Sequence, residues 1–129
     1  MATLTMTDGQ EITFSPSRVS ALVDYNAVTH AAVTSVFGLR KGIVFTKEGV
    51  EDFMHRVGIT DSFAELTKPD GHLLWVNGES VTALSLPSPK DPYVKEVRTV
   101  VELGGWNVGI RETIKQATNE INAHRREPL

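Results

Sequence analysis

The stretch that decides the fold is Ala2–Leu22, ATLTMTDGQEITFSPSRVSAL, because the chain writes it a second time as Ala64–Leu84, AELTKPDGHLLWVNGESVTAL. The copies align at a shift of 62 without a gap. Ala2/Ala64, Leu4/Leu66, Thr5/Thr67, Asp8/Asp70, Gly9/Gly71, Val19/Val81, Ala21/Ala83 and Leu22/Leu84 are identical, 8 of 21 positions; unrelated segments would share roughly one or two. Ile12/Leu74, Phe14/Val76, Ser15/Asn77 and Ser20/Thr82 are similar. After one loop the match resumes at a shift of 64, through Val33/Val97, Val36/Val100, Leu39/Leu103, Val44/Val108, Glu48/Glu112 and Val50/Ile114. The chain therefore divides into repeats over 1–61 and 62–129, expected to form one compact body.

The pattern inside each repeat names the elements. Thr3-Leu4-Thr5-Met6 and Glu11-Ile12-Thr13-Phe14 alternate polar and apolar around Asp8-Gly9, a β-hairpin signature. Ser15-Pro16-Ser17 breaks the second strand. Arg18 to Val23 reads as a third strand, and Ala32–Leu39 with Ile43–Phe45 as a second hairpin. From Thr46, a candidate N-cap, the period changes. Val50, Phe53, Met54 and Val57 line one helix face, closed by Gly58. The second repeat follows suit: strands over Phe63–Lys68, His72–Val76, Val81–Leu86, Lys95–Leu103 and Trp106–Val108, with Gly104-Gly105 turning the last pair. A helix is expected to start near Ile110, its apolar stripe being Ile110, Ile114, Ala117 and Ile121, and His124–Leu129 is expected to fray. The fold class is α+β, mostly antiparallel β. It comprises two pseudo-symmetric units, each of four to five short strands followed by one amphipathic helix.

Composition narrows the function. At 129 residues and a net charge of −3, the chain lacks the basic surplus needed to grip a nucleic-acid backbone. It has no cysteine, which excludes disulfides and thiolate metal sites. No apolar run approaches a membrane span, and no signal-peptide pattern opens the chain, so a cytoplasmic location is expected.

Each repeat resembles the FlbD/SwrD-type domain of bacterial flagellar and swarming genes. The likeness is carried by Leu66-Thr67, Asp70-Gly71, Val76-Asn77, Thr99-Val100-Val101, Gly104-Gly105 and Glu112. The first repeat keeps Asp8-Gly9 and Glu48, with Ser15 for the asparagine and Arg40-Lys41 for the glycine pair. The resemblance implies a small β-domain that acts as a protein-interaction module linked to motility.

Positions that differ between the copies are where chemistry would sit. Trp75 stands opposite Thr13, and Trp106 opposite Gly42. In His72-Leu73-Leu74-Trp75-Val76 both faces of the strand are apolar, so Trp75 covers the other repeat, a second subunit or a ligand, packing being the commoner use. Arg111 and Lys115 open a polar stripe continued by Thr118 and Asn122, which is either a solvated face or an anion site. Read as a site, it uses Arg111, Lys115 and the helix N-terminus for a phosphate. The Gly105 turn and Asn107 lie close by, and Trp75 or Tyr93 stacks on a base.

Size, element order and this cationic helix resemble the phage Thoeris anti-defence sponges. That likeness implies a non-enzymatic protein that sequesters a cyclic ADP-ribose-type or cyclic nucleotide signal. No nucleophile elbow, P-loop, dinucleotide fingerprint or metal-ligand spacing occurs, so neither catalysis nor a cofactor is expected. His30, His55, His72 and His124 read as loop, helix-surface, strand and tail residues, and Asp8 and Asp70 as turn formers. Open strand edges favour a homo-oligomer.

Overall fold

The computed structural model describes residues 2–6, 8–25, 33–38, 42–46, 48–88, 96–104 and 107–129. Its strands are β1 (Ala2–Thr5), β2 (Glu11–Phe14), β3 (Val19–Tyr25), β4 (Val33–Gly38), β5 (Gly42–Thr46), β6 (Phe63–Thr67), β7 (Leu73–Asn77), β8 (Ala83–Ser85), β9 (Thr99–Glu102) and β10 (Asn107–Ile110). Helix α1 (Val50–Val57) follows β5, and α2 (Ile114–Asn122) follows β10. The fold is α+β with antiparallel pairing throughout its three sheets, ordered β1-β2, β10-β9-β8 and β5-β4-β3-β7-β6. One succession of hairpin, short 3-10 turn, three-strand meander and helix occurs twice along the chain.

The hairpins form as their turn chemistry dictates. Gly9 and Gly71 both sit at φ +90°, where a side chain would be strained. Asp8 Oδ1 accepts the Gln10 amide at 2.9 Å, and Asp70 Oδ1 accepts the His72 amide at 3.0 Å. Both aspartates are thus turn formers.

The five-stranded sheet crosses the boundary expected at 61/62, because β3 pairs with β7 through Ala21↔Val76, Leu22↔Trp75 and Val23↔Leu74. Alternation along these strands feeds two cores, one on each face. Ala21, Val23, Leu74 and Val76 join Val101, Leu103, Ile110, Ala117 and Ile121 on the α2 side. Leu22 and Trp75 join Leu4, Val50, Phe53 and Met54 on the α1 side. Burial on both faces makes β3 and β7 the centre of the molecule.

Each half also ties its first strand to its last. Met6 bridges Thr46, whose hydroxyl donates to the Thr5 carbonyl at 2.7 Å. In the second half the Arg111 amide donates to the Thr67 carbonyl at 2.9 Å, and Glu112 Oε1 accepts the Thr67 amide at 2.9 Å. Glu48, the repeat counterpart of Glu112, instead holds Arg56, which donates to the Thr3 carbonyl at 2.7 Å. The paired glutamates therefore do related work, each fastening a hairpin to the entry of its helix.

Several expectations need correction. Thr46 is not the cap of α1; Gly49 occupies that place, while Gly58 closes the helix at φ 75° as expected. Helix α2 begins at Ile114 rather than near Ile110, since Ile110 ends β10 and Thr113 with Gln116 forms a capping box. Strand β9 starts at Thr99 and β10 runs Asn107–Ile110. Ala83–Ser85 is the paired core of the strand expected over Val81–Leu86. The terminal residues do not fray. Arg125 Nη1 donates to the carbonyls of Gly78 and Val81 at 2.8 and 2.6 Å, and the Leu129 amide donates to Asn122 Oδ1 at 2.8 Å.

Candidate functional site

Arg111 was the centre of the expected anion site, and its surroundings decide what it can do. Because α2 starts three residues later, Arg111 lies on the approach to the helix and outside its first turn. The stripe Arg111, Lys115, Thr118 and Asn122 is therefore not a single helix face. The guanidinium is directed at the 68–71 turn, donating from Nε and Nη2 to the Pro69 carbonyl at 3.0 and 2.6 Å. The recess beside it, about 480 Å³, is lined by Glu65, Thr67, Arg111, Glu112, Gln116 and Glu120. Three carboxylates face one guanidinium that is already bonded, an electrostatic setting that repels phosphate.

The other expected site residues are dispersed. Trp75 is 6% exposed and packs among Leu4, Leu22, Phe53 and Met54, on the α1 side of the sheet. It is the contact between halves that the two apolar faces of its strand suggested. Lys115 is exposed on the first turn of α2, and Asn107 is exposed at the start of β10 opposite Glu102. Tyr93 and Gly105 lie outside the described residues. The structure brings no two of these side chains to a shared bond among the described residues.

A larger recess escaped the reading of the sequence. It measures about 600 Å³ and lies where the two halves meet, walled by Ser17, Asp61, Asn77, His124, Arg125 and Arg126 among others. Asn77 donates from Nδ2 to the Val19 carbonyl at 3.1 Å, and its Oδ1 accepts the Glu79 amide at 3.1 Å. His124 Nδ1 lies 2.6 Å from the Asp61 carbonyl, and Glu79 accepts the Arg126 amide at 2.7 Å. The sequence marks Asn77 only as the strand-ending asparagine of the family pattern and as the counterpart of Ser15 in the repeat. Its role needs a partner 58 positions away, which local reasoning does not reveal.

The strands at the ends of the three sheets are β1, β2, β5, β6, β8 and β10. β2 pairs only with β1, and β8 only with β9, so among the described residues each is bonded along one edge. The Met6 amide donates to the Gln10 carbonyl at 2.7 Å, and bonded pairs recur at every second residue of an antiparallel ladder. Ile12 and Phe14 therefore bond to β1, while the N–H and C=O of Thr13 point outward. Leu86, just past β8, is 72% exposed, the most exposed large apolar side chain of the described residues.

Among the described residues no three His, Cys, Asp or Glu side chains are placed to hold a metal ion, and no helix is long and apolar enough to cross a membrane. Compared with known proteins, the chain matches no family model, no curated sequence and no solved structure.

Proposed function

We propose that the chain is a non-enzymatic protein-interaction module, made of two diverged copies of one FlbD/SwrD-like unit and linked to motility. It engages its partner by strand addition at the outer edges of β2 and β8. The observation supporting this reading is the β3–β7 junction: one half already holds the other by edge-to-edge pairing, and β2 and β8, the repeat counterparts of those two strands, each keep an edge that no strand pairs among the described residues. In such addition, main-chain bonds supply affinity and alternate side chains supply specificity. The test is capture of partners from cells that make the protein, with wild type, Thr13→Pro and Arg111→Ala as baits. Proline at 13 removes an outward donor and leaves the bonds to β1 in place. Loss of a partner with Thr13→Pro and its retention with Arg111→Ala is the expected pattern. A partner set indifferent to Thr13→Pro overturns the reading.

A second reading keeps the nucleotide sponge but moves its site. What favours it is the 600 Å³ recess bordered by Arg125 and Arg126, two guanidinium groups beside the two carboxylates of Asp61 and Glu79, where the Arg111 recess sets one beside three. Titration calorimetry with cyclic ADP-ribose isomers and cyclic dinucleotides checks it. Binding heat abolished by Arg126→Ala and kept in Arg111→Ala supports a sponge of this form; no heat with any of these ligands removes it.

A further inference from the structure

The strand-addition reading leaves a question that the chain's own repeat answers: what covers β2 and β8. A shift of 62 carries Ala21, Leu22 and Val23 of β3 onto Ala83, Leu84 and Ser85 of β8. Shifted back by 62, Leu74, Trp75 and Val76 of β7 fall on Ile12, Thr13 and Phe14 of β2. β3 and β7 are paired to each other within the chain. Their counterparts β8 and β2 each end a sheet and pair with one strand only among the described residues. The junction inside the molecule is therefore a template for a second junction that one copy leaves unmade.

That second junction cannot close within a single copy. Ile12 and Phe14 of β2 pack on the core at the α1 face of the central sheet, whereas Leu84 of β8 packs on the core at the α2 face. The two edges lie on opposite sides of the β3–β7 wall. We infer that the partner is a second copy of this chain, with β8 of one molecule taking β2 of the next in the register Ala83↔Phe14, Leu84↔Thr13 and Ser85↔Ile12. This inference rests on the strand-addition reading and names its partner. The contact is head-to-tail, so it builds a ring if the rotation closes and a filament if it does not.

The bond direction of β2 and the faces of both strands agree with the template. The Lys68 amide donates to the His72 carbonyl at 2.9 Å, and by alternation Trp75 turns its N–H and C=O toward Leu22. Thr13, its counterpart, turns the same groups outward. Leu22 faces the core of its own half, as Leu84 does; Leu74 and Val76 face theirs, as Ile12 and Phe14 do. The copies differ in that Thr13 replaces Trp75 and Ser85 replaces Val23. The intermolecular junction thus buries less apolar surface than the internal one and is the reversible member of the pair. Leu86 falls opposite Glu11 in this register and is covered by the arriving strand.

The purified full chain provides the test, and its lack of cysteine lets an engineered pair report alone. Ser85→Cys and Ile12→Cys single variants are mixed and mildly oxidised. These positions form a non-bonded cross-strand pair, within disulfide reach. The expected product is a linked heterodimer in roughly tenfold excess over either homodimer, because only the in-register pair meets that geometry. Replacing the second variant by Thr13→Cys abolishes that excess, since a one-residue slip turns the side chain to the other face. Light scattering shows wild-type mass rising with concentration, and Thr13→Pro stays at monomer mass with an unchanged circular dichroism melt.

Homodimers in excess, equal linking in and out of register, or a wild type that stays monomeric and unlinked each overturn the inference. Should Thr13→Pro fail to fold, the cysteine pair alone decides. A monomeric, unlinked wild type whose captured partner is still lost with Thr13→Pro sinks this inference and leaves the interaction-module reading standing. If that partner is also indifferent to Thr13→Pro, both fall.

Discussion

β2 and β7 occupy the same place in the repeat, follow the same Asp-Gly turn and pair with their hairpin partners in the same register, yet one is peripheral and the other central. β7 is bonded on both edges and buried on both faces; β2 is bonded on one edge and exposes Glu11 and Thr13. The turn cannot account for the difference, because Gly9 and Gly71 share φ +90° and both aspartates cap the same amide. What differs is the second face, where Leu73 and Trp75 of β7 answer to Glu11 and Thr13 of β2. Trp75 extends across β3 into the first half's core, where Thr13 offers a hydroxyl 3.4 Å from that of Thr3. Local sequence makes the hairpin, and an apolar second face, to which Trp75 contributes the largest side chain, lets a second layer form on it.

Exchanging those residues breaks the comparison with the largest expected effect. Trp75→Thr empties part of the core between β3, β7 and α1. It should cost about 3 to 5 kcal/mol, the range for deleting a large buried aromatic, a large share of a small domain's stability. Urea unfolding followed by circular dichroism measures it. The reverse exchange, Thr13→Trp, lies on an exposed edge and should move the midpoint of dilute protein by under about 0.5 kcal/mol. Equal effects from the two exchanges would mean that β2 and β7 are not the inner and outer versions of one strand.

The 3-10 turns that follow β2 and β7 sharpen the same contrast at smaller scale. The first contains Pro16 and no buried residue; the second begins at the buried Gly78. A Cβ at Gly78 would fall on the His124 carbonyl, so this glycine is required by the close approach of the C-terminal segment. Gly78→Ala should destabilise by about 1 to 3 kcal/mol, the usual cost of forcing a group into filled space. The same unfolding measurement, with loss of amide-exchange protection at Arg126 and Leu129, checks it. An alanine variant as stable as wild type would show that the C-terminal segment is not held against β7.

These pairs also show where sequence reading succeeds. The Asp-Gly turns were legible because φ > 0 and an Asx bond are local demands. The two apolar faces of Leu73–Val76 announced a strand covered on both sides. The start of α2 was misread because Ile110 fits the helical apolar stripe as well as it ends a strand. The Thr113-x-x-Gln116 capping box was present as a signal but carried less apolar weight. The docked terminus and the choice of β7 as partner for β3 depend on contacts distant in the chain, which no local pattern encodes. The proposed anion site dispersed for the same reason: spacing put Arg111 and Lys115 on one face, and the fold put Arg111 in a turn-bracing role.

The smallest expected effect concerns the second of the two turns. Partial burial pushes the Asp70 carboxyl up, but the His72 amide and the charges of Lys68 and His72 outweigh it and hold the group below its ordinary value of 3.8. Lys68 Nζ lies 3.7 Å from Asp70 Oδ2, whereas Met6 fills that place in the first turn. A carboxylate depressed in the folded state adds stability that is complete above its unfolded pKa and disappears as pH falls through the folded one. Asp70→Asn should therefore cost under about 1 kcal/mol at neutral pH, as for exposed ion pairs, with the gap from wild type closing below pH 3.8. High salt should shrink the neutral-pH gap by screening Lys68. Urea midpoints of both proteins across pH check this, and a gap that widens on acidification would show that Asp70 is not held as its partners require.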